Sequence, residues 1–204
     1  ISNDVNFMVS INYFSKKLWR KNLTKKEAWD MLYEFSFSNF RSYKSERKLD
    51  FSAQPISEFK ESLITKDTNT KLLPVCVIYG PNGGGKSGVL QAMKTLRNIV
   101  IDPLLQMAFM KKKNEKLAEV STEVLQENIK REQENEYYFK WDDEGEKAPT
   151  AFSILFSMDT VKYRYELSSK ESFIVEENLY YEKGDGTVDA VFERDEEGVY
   201  LCDE

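Results

Sequence analysis

Apolar and polar residues alternate from residue 31 to residue 40, which is the pattern of a half-buried β-strand. A second short strand is expected at residues 48–52. The next apolar run, residues 72–79, is interrupted by Pro74 and is then rich in β-branched side chains. Such a run is typical of a buried strand, which would start near Val75 and end at Gly80.

Helical spacing begins after this glycine. A helix is expected from Ser87 to about Val100, with Pro103 beyond its end. Its buried face is predicted to contain Val89, Leu90, Met93, Leu96, Arg97 and Val100. A weaker helical stripe among many charges follows, which predicts a helical insertion at about residues 102–140.

From residue 151 the pattern returns to strands. They are expected at residues 152–158, 161–167, 173–181, 188–193 and 199–202. Polar, glycine-containing turns at 183–186 and 196–198 favour antiparallel hairpins. The pattern therefore predicts an α/β fold with a helical insertion and an antiparallel sheet at about residues 151–204.

The composition is that of an ordinary globular chain. It has 204 residues, of which 41% are hydrophobic and 31% charged, and no apolar run approaches the ~20 residues that a transmembrane helix needs. Two cysteines are too few for a disulfide framework and no signal peptide is recognisable, so a cytoplasmic location is expected. The chain has no histidine, which excludes Ser/His and Cys/His triads and histidine-ligated zinc.

Charge is distributed unevenly along the chain. The net charge of −6 argues against a surface that wraps nucleic acid through general basicity. Residues 1–30 are rich in lysine and contain Trp19 and Trp29, and they are interpreted as an N-terminal extension: an amphipathic helix, an interaction arm or residues added for expression. The acidic residues after position 165 are interpreted as a solvated face.

The strongest chemical signal is the segment from Gly80 to Ser87, which fits the pattern GxxxxGK[ST] between a predicted strand and a predicted helix. Glycines allow the backbone to fold around a phosphate, and the helix N-terminus adds its positive dipole end. Lys86 would neutralise the β- and γ-phosphates as the catalytic cation, and the hydroxyl of Ser87 would bind Mg²⁺. The predicted nucleotide-binding set is Gly80, Pro81, Asn82, Gly83, Gly84, Gly85, Lys86, Ser87 and Gly88.

These elements together carry a family resemblance. The first strand ends in Asn39, Phe40, Arg41, Ser42 and Tyr43, and the phosphate loop follows; this arrangement resembles the N-terminal half of ABC-type ATPase heads. More narrowly, residues 149–152, 163–165 and 174–181 resemble the group that includes SMC-like and RecF-like DNA repair proteins, overcoming-lysogenization-defect ATPases and abortive-infection ATPases. The resemblance covers about residues 32–204.

The resemblance implies an ATP- and Mg²⁺-binding N-lobe of an ABC-type ATPase of the DNA repair or anti-phage class, spanning residues 31–204. It implies that Arg41 approaches the bound nucleotide. It also implies that hydrolysis needs a second lobe with a Walker B Asp-Glu pair and a switch histidine, and a partner head, in a homodimer, with a signature loop. Nucleic acid would be reached through the intact protein. By itself this chain would be weak or inactive as an ATPase.

The sequence departs from the family pattern at two positions. Gly84 stands where serine or alanine is frequent, and Gly88 where asparagine or threonine is frequent. These glycines are expected to make the loop more flexible. The terminal residues 199–204 are similar in sequence to a Walker B segment, because four mostly apolar residues precede an Asp-Glu pair. Their hairpin context indicates instead that the antiparallel sheet continues there.

Two alternatives stay open at this point. A self-contained small P-loop kinase or NTPase could use Asp142, Asp143 or Asp159 near the phosphates. A non-catalytic interaction module could instead present the hairpin tyrosines Tyr163, Tyr165, Tyr180 and Tyr181 to a partner. The residues do not by themselves distinguish ATP from GTP.

Overall fold

A computed structural model describes most of the chain from residue 30 onward. The described residues are 30–55, 58, 60–65, 70–112, 137–141, 143–158, 161–170 and 173–202, and for 102–112 only the backbone is described. Residues 1–29 of the predicted N-terminal extension and residues 113–136 of the predicted helical insertion lie outside this set. So do Asp142, Asp159, Asp203 and Glu204.

The fold is organised around a seven-stranded antiparallel sheet. Its strands are β1 (Met31–Ser38), β2 (Arg47–Asp50), β5 (Thr150–Met158), β6 (Val161–Lys170), β7 (Phe173–Glu182), β8 (Val188–Arg194) and β9 (Val199–Leu201). They lie in the order β2-β1-β5-β6-β7-β8-β9, so β1 inserts between β2 and β5. The strands predicted at these places are confirmed, with shifts of up to three residues at their ends.

Smaller elements complete the described part. A 3₁₀ turn at Lys60–Ser62 precedes a two-stranded sheet of β3 (Ile64–Thr65) and β4 (Lys71–Leu72). The helices are α1 (Lys86–Lys112) and the short α2 (Asp143–Lys147). No helix in the described ranges is long and apolar enough to span a membrane.

The hydrophobic core lies between α1 and one face of the sheet. Alternation in β1 directs Phe35 and Phe37 to this face, where they meet Val89 and Leu96 of the helix. Phe40, Ala92, Phe152 and Leu167 complete the buried cluster. Burial of each large side chain contributes about 1.5–3 kcal/mol, so this contact holds the helix and the loop before it on the sheet.

Helix α1 differs from its prediction in length. It continues through Pro103 to Lys112, so the expectation that Pro103 lies beyond its end is wrong. A proline in a helix interior costs about 3 kcal/mol. The leucine, methionine and lysine residues that follow are good helix formers, and propagation adds a hydrogen bond per residue.

The buried face of α1 differs from the prediction at Leu90 and Arg97, whereas Met93 and Val100 pack half-buried against the core as predicted. Val89, Ala92 and Leu96 are buried, whereas Leu90 is 44% exposed and Arg97 is exposed. Residues spaced by three and four positions share one face, and this face meets the sheet at Val89 and Leu96. Leu90 is one position away from Val89 and is therefore rotated toward solvent.

The apolar run before the phosphate loop is the largest departure from expectation. Residues 75–80 form no strand, and Val75, Val77 and Tyr79 are 64%, 76% and 91% exposed. The prediction of a buried strand there is wrong for the described part of the chain. A continuous apolar strand is buried when neighbouring strands and both faces cover it, and none of the described strands pairs with this run.

Candidate functional site

The loop at residues 80–87 connects the exposed apolar run to α1. Gly83 and Gly85 have φ angles of 81° and 82°, a region that side-chain-bearing residues rarely adopt. The N–H of Gly84 donates to the carbonyl oxygen of Pro81 at 3.1 Å, which closes a tight turn. The glycines predicted from the phosphate-binding motif therefore have a conformational role in this turn.

Lys86 closes the loop from the helix side. Its Nζ donates to the carbonyl oxygens of Gly80 at 2.8 Å and Pro81 at 2.7 Å. The ammonium group is thus held against the start of the loop, close to the backbone that would surround a phosphate. Its hydrogen-bonding partners are neutral carbonyl groups, and an anion would be a stronger partner for it.

Lys86 and Ser87 form the first turn of α1. The first N–H groups of a helix have no acceptor within that helix, and they carry the positive end of its dipole. Backbone N–H groups, a lysine and a serine therefore lie together in the first turn of α1. This donor set fits a phosphate group, and the hydroxyl fits a ligand of Mg²⁺.

Tyr43 contacts this loop from the turn that follows β1. Its hydroxyl donates to the carbonyl oxygen of Gly85 at 2.8 Å. A Cβ atom at Gly85 would lie 2.6 Å from the Tyr43 oxygen, and one at Gly88 would lie 2.9 Å from its Cε2 atom. The tyrosine ring therefore occupies the space that side chains at these two positions would need.

This contact gives the second departure from the family pattern a structural reason. Gly88 is buried against the Tyr43 ring, and asparagine or threonine would collide with that ring. Gly84 has a different constraint, since a Cβ there would lie 3.0 Å from the carbonyl oxygen of Pro81. Sequence reasoning noted Tyr43 only as part of a motif and missed its contact. The unusual glycine at position 88 was the available signal.

A tight turn fixes the position of Tyr43. Phe40 and Tyr43 exchange two backbone hydrogen bonds, of 2.8 and 2.9 Å. The Tyr43 ring packs edge-on against Phe37, with their centroids 5.2 Å apart. The turn needs positive φ angles at Asn39 (49°) and Arg41 (52°), and asparagine tolerates such angles better than most residues.

Asn39 connects the same turn to the segment before β5. Its Nδ2 donates to the carbonyl oxygens of Gly145 at 2.7 Å and Ala148 at 2.8 Å, and its Oδ1 accepts from the N–H of Phe139 at 3.0 Å. The hydroxyl of Thr150 donates to its backbone carbonyl at 2.8 Å. Asn39 is 5% exposed, and its amide therefore satisfies several backbone groups that would otherwise be buried without partners.

Arg41 also lies in this turn, where its neighbours are Phe40 and Tyr137. Its backbone N–H donates to the carbonyl oxygen of Tyr137 at 2.6 Å, and its guanidinium carbon lies 5.9 Å from the Phe40 ring centroid. The side chain is exposed. Its approach to a nucleotide stays a prediction.

Acidic metal ligands do not gather in the described part of the chain, where no group of three or more Asp, Glu or Cys could hold a metal ion. The terminal run at 199–202 does not supply a Walker B strand there. Its strand β9 pairs antiparallel with β8 at the end of the sheet. The interpretation of this run as a continuing hairpin is confirmed.

Comparison with known proteins identifies a family for this chain. A family model described as "AAA domain, putative AbiEii toxin, Type IV TA system" matches residues 75–199. The matched range contains the loop, α1 and strands β5 to β8. No curated protein and no solved structure matches the chain.

Proposed function

We propose that this chain, which belongs to the family of AAA domains whose model covers more than half of it, is the ATP- and Mg²⁺-binding N-lobe of an ABC-type ATPase. Membership of this family means that the chain carries a nucleotide-binding P-loop ATPase domain. The ATPase is proposed to be of the DNA repair or anti-phage class. The lobe spans residues 31–204. It works with a second lobe and with a partner head of the same kind.

The exposed apolar run before the loop is the observation that carries this proposal. Val75, Val77 and Tyr79 expose most of their surface, although runs of this composition are buried in the middle of parallel sheets. Exposed backbone N–H and C=O groups in such a run can pair with another strand. We attribute the missing neighbours to the second lobe, whose strands would cover this run on both sides.

The loop residues have separable roles in this proposal. The backbone N–H groups of the loop and the first turn of α1 hold the phosphates, and Lys86 exchanges its two carbonyl partners for phosphate oxygens. The hydroxyl of Ser87 holds Mg²⁺, which offsets negative charge on the phosphates when it is bound. Catalysis then rests on positioning and charge stabilisation. Arg41 is proposed to reach the same phosphates from the turn after β1.

The described residues supply more of the groups needed to bind a nucleotide than of those needed to hydrolyse it. The described residues hold no carboxylate cluster for a metal, and the sequence has no histidine. A Walker B pair, a switch histidine and a signature loop would come from the second lobe and the partner head. ATP-driven closure of two heads would then act on attached domains that grip or cut nucleic acid.

The test measures Mg²⁺-dependent binding of ATP and GTP to the 204-residue chain by calorimetry, with phosphate release followed in the same samples. Lys86→Ala is compared with Lys71→Ala, which removes an exposed lysine outside the loop. We expect ATP to bind to the wild type and to Lys71→Ala, binding to fall at least about tenfold in Lys86→Ala, and phosphate release to be negligible.

Two results would overturn the proposal. Rapid phosphate release by this chain, lost in Lys86→Ala, would identify a self-contained P-loop enzyme. Failure of the wild type to bind either nucleotide would favour an interaction module that does not use nucleotide.

A further inference from the structure

We infer that Tyr43 is a positioning residue that aims the backbone N–H of Lys86 at the phosphates of a bound nucleotide. The inference rests on the proposed nucleotide-binding function. It assigns a part of the phosphate site to a residue far from the loop in sequence, on the turn that ends β1.

The geometry of the peptide bond between Gly85 and Lys86 is the first step. In a trans peptide the C=O and the N–H point in opposite directions, and the described backbone contains no cis peptide. Any group that fixes the direction of the Gly85 carbonyl therefore also fixes the direction of the Lys86 N–H.

Two hydrogen bonds fix that carbonyl. The Tyr43 hydroxyl donates to it at 2.8 Å, and the N–H of Gly88 donates to it at 2.7 Å. A carbonyl oxygen has two lone pairs, and both are used here. The bond from Gly88 directs the carbonyl into the first turn of α1, so the Lys86 N–H points out of the N-terminal end of the helix, where an anion binds.

The tyrosine can hold this direction because its own position is fixed. It lies in a turn closed by two backbone hydrogen bonds to Phe40, and its ring packs against Phe37, which is 1% exposed. A donor held in a closed turn after β1 thus fixes a loop whose glycines would otherwise allow many peptide orientations. Holding the peptide in place before binding reduces the entropy lost when phosphate binds.

The experiment compares Tyr43→Phe with Tyr180→Phe in the 204-residue chain. Tyr43→Phe keeps the ring and removes the hydroxyl that orients Gly85. Tyr180→Phe removes a hydroxyl that donates to Glu193 at 3.0 Å on the sheet. Affinities for MgATP, MgADP and AMP are measured by calorimetry, and the thermal unfolding midpoint is measured without nucleotide.

We expect Tyr43→Phe to bind MgATP and MgADP about fivefold to tenfold more weakly, because the peptide between Gly85 and Lys86 must then be ordered when phosphate binds. Its unfolding midpoint should fall by about 2–4 °C, the effect of one lost hydrogen bond. Tyr180→Phe should bind both nucleotides like the wild type. Incorporation of 4-aminophenylalanine at position 43 restores a donor at the same place and should restore affinity. This rescue distinguishes orientation of the loop from packing of the ring.

Equal affinity of Tyr43→Phe and wild type for MgATP would overturn the inference while leaving the proposed function intact. A loss of affinity that 4-aminophenylalanine does not restore would also overturn it, because the ring environment and not the donated hydrogen bond would then be responsible. If the wild type binds no nucleotide, the proposed function fails first and this inference fails with it.

Discussion

The hydroxyl of Tyr43 donates a 2.8 Å hydrogen bond to the carbonyl oxygen of Gly85, forty-two positions further along the chain. The bond joins the turn after the first strand to the residue before Lys86. The same ring lies against Gly88 in the first turns of α1. A change at either glycine should therefore depend on whether the tyrosine is present.

Gly88→Ala tests this dependence. In an ordinary helix the change would stabilise by up to about 1 kcal/mol. Here the new Cβ would lie 2.9 Å from Tyr43 Cε2, so we expect a loss of about 1–3 kcal/mol in the free energy of unfolding, the cost of overpacking. Urea titration of the wild type and the variant measures the difference.

The matched control is the same change in a Tyr43→Ala background. Removal of the ring opens the space, so Gly88→Ala should there be neutral or stabilising, and the two changes should be non-additive. A stabilising effect of Gly88→Ala in the presence of Tyr43 would show that the ring does not require glycine at this position.

Two valines differ sharply in their environment. Val89 is 8% exposed in the core, whereas Val77 is 76% exposed in the run before the loop. Val89→Ala should cost about 2 kcal/mol, the loss of two buried methyl equivalents, and Val77→Ala should change the free energy of unfolding by less than about 0.5 kcal/mol. Urea titration of both variants provides the comparison. A cost at Val77 that equals the cost at Val89 would mean that the run is buried in this chain.

The amide of Asn39 can be tested with an isosteric change. Asn39→Asp places a carboxylate oxygen where Nδ2 now donates to the carbonyls of Gly145 and Ala148. A buried charge without a partner facing acceptor oxygens should cost about 3–5 kcal/mol at neutral pH, which urea titration would measure.

Asn39→Gly serves as the control for backbone strain. Glycine accepts the φ angle of 49° and lacks only the side-chain hydrogen bonds, so its cost should be smaller than that of Asn39→Asp. Equal costs for the two variants would indicate that the hydrogen bonds matter and the charge does not.

Tyr165 gives the chain a stability change in alkali. Burial raises the pKa of Tyr165 above its ordinary value, and its hydrogen bond to Glu177 at 2.6 Å raises it further. Above about pH 10 the unfolded chain releases this proton and the folded chain retains it. The free energy of unfolding should therefore decrease as pH rises from about 9 to about 11.

Tyr165→Phe removes the titrating group, so the decrease in unfolding free energy between these pH values should be smaller in this variant than in the wild type. Urea midpoints at the two pH values measure both slopes. Identical slopes would show that Tyr165 ionises equally in the folded and unfolded chain.

Much of the sheet could be predicted from the sequence because each of its strands carries local evidence. Residues 31–38 alternate between the core and the opposite face, and the turns with Gly186 and Gly198 separate successive hairpins. The tight loop before α1 could be predicted for the same reason, since its glycines and Lys86 are adjacent in sequence. Local pattern and local structure agree at these places.

The contacts that were missed depend on residues distant in sequence. The environment of Tyr43 is set by the glycines of the loop, and that of Asn39 by residues just before β5. The run at residues 75–79 has the composition of a buried strand, but burial also requires neighbouring strands, which composition cannot provide. The continuation of α1 through Pro103 could not be predicted, because a proline usually ends a helix and favourable propensity on both sides of it does not show that the two segments form one helix.

The strand order has a consequence for how the chain folds. Strands β5 to β9 are successive antiparallel neighbours, so each pairing closes only a short loop and can form quickly. The pairing of β1 with β5 brings Ser38 beside Ala151. It must therefore close the long loop formed by residues 39–150, and the entropic cost of loop closure grows with loop length. We therefore expect the hairpins to form early and the docking of β1 to limit the rate. The loop at residues 80–87 then acquires its contact with Tyr43 only in the last stage of folding.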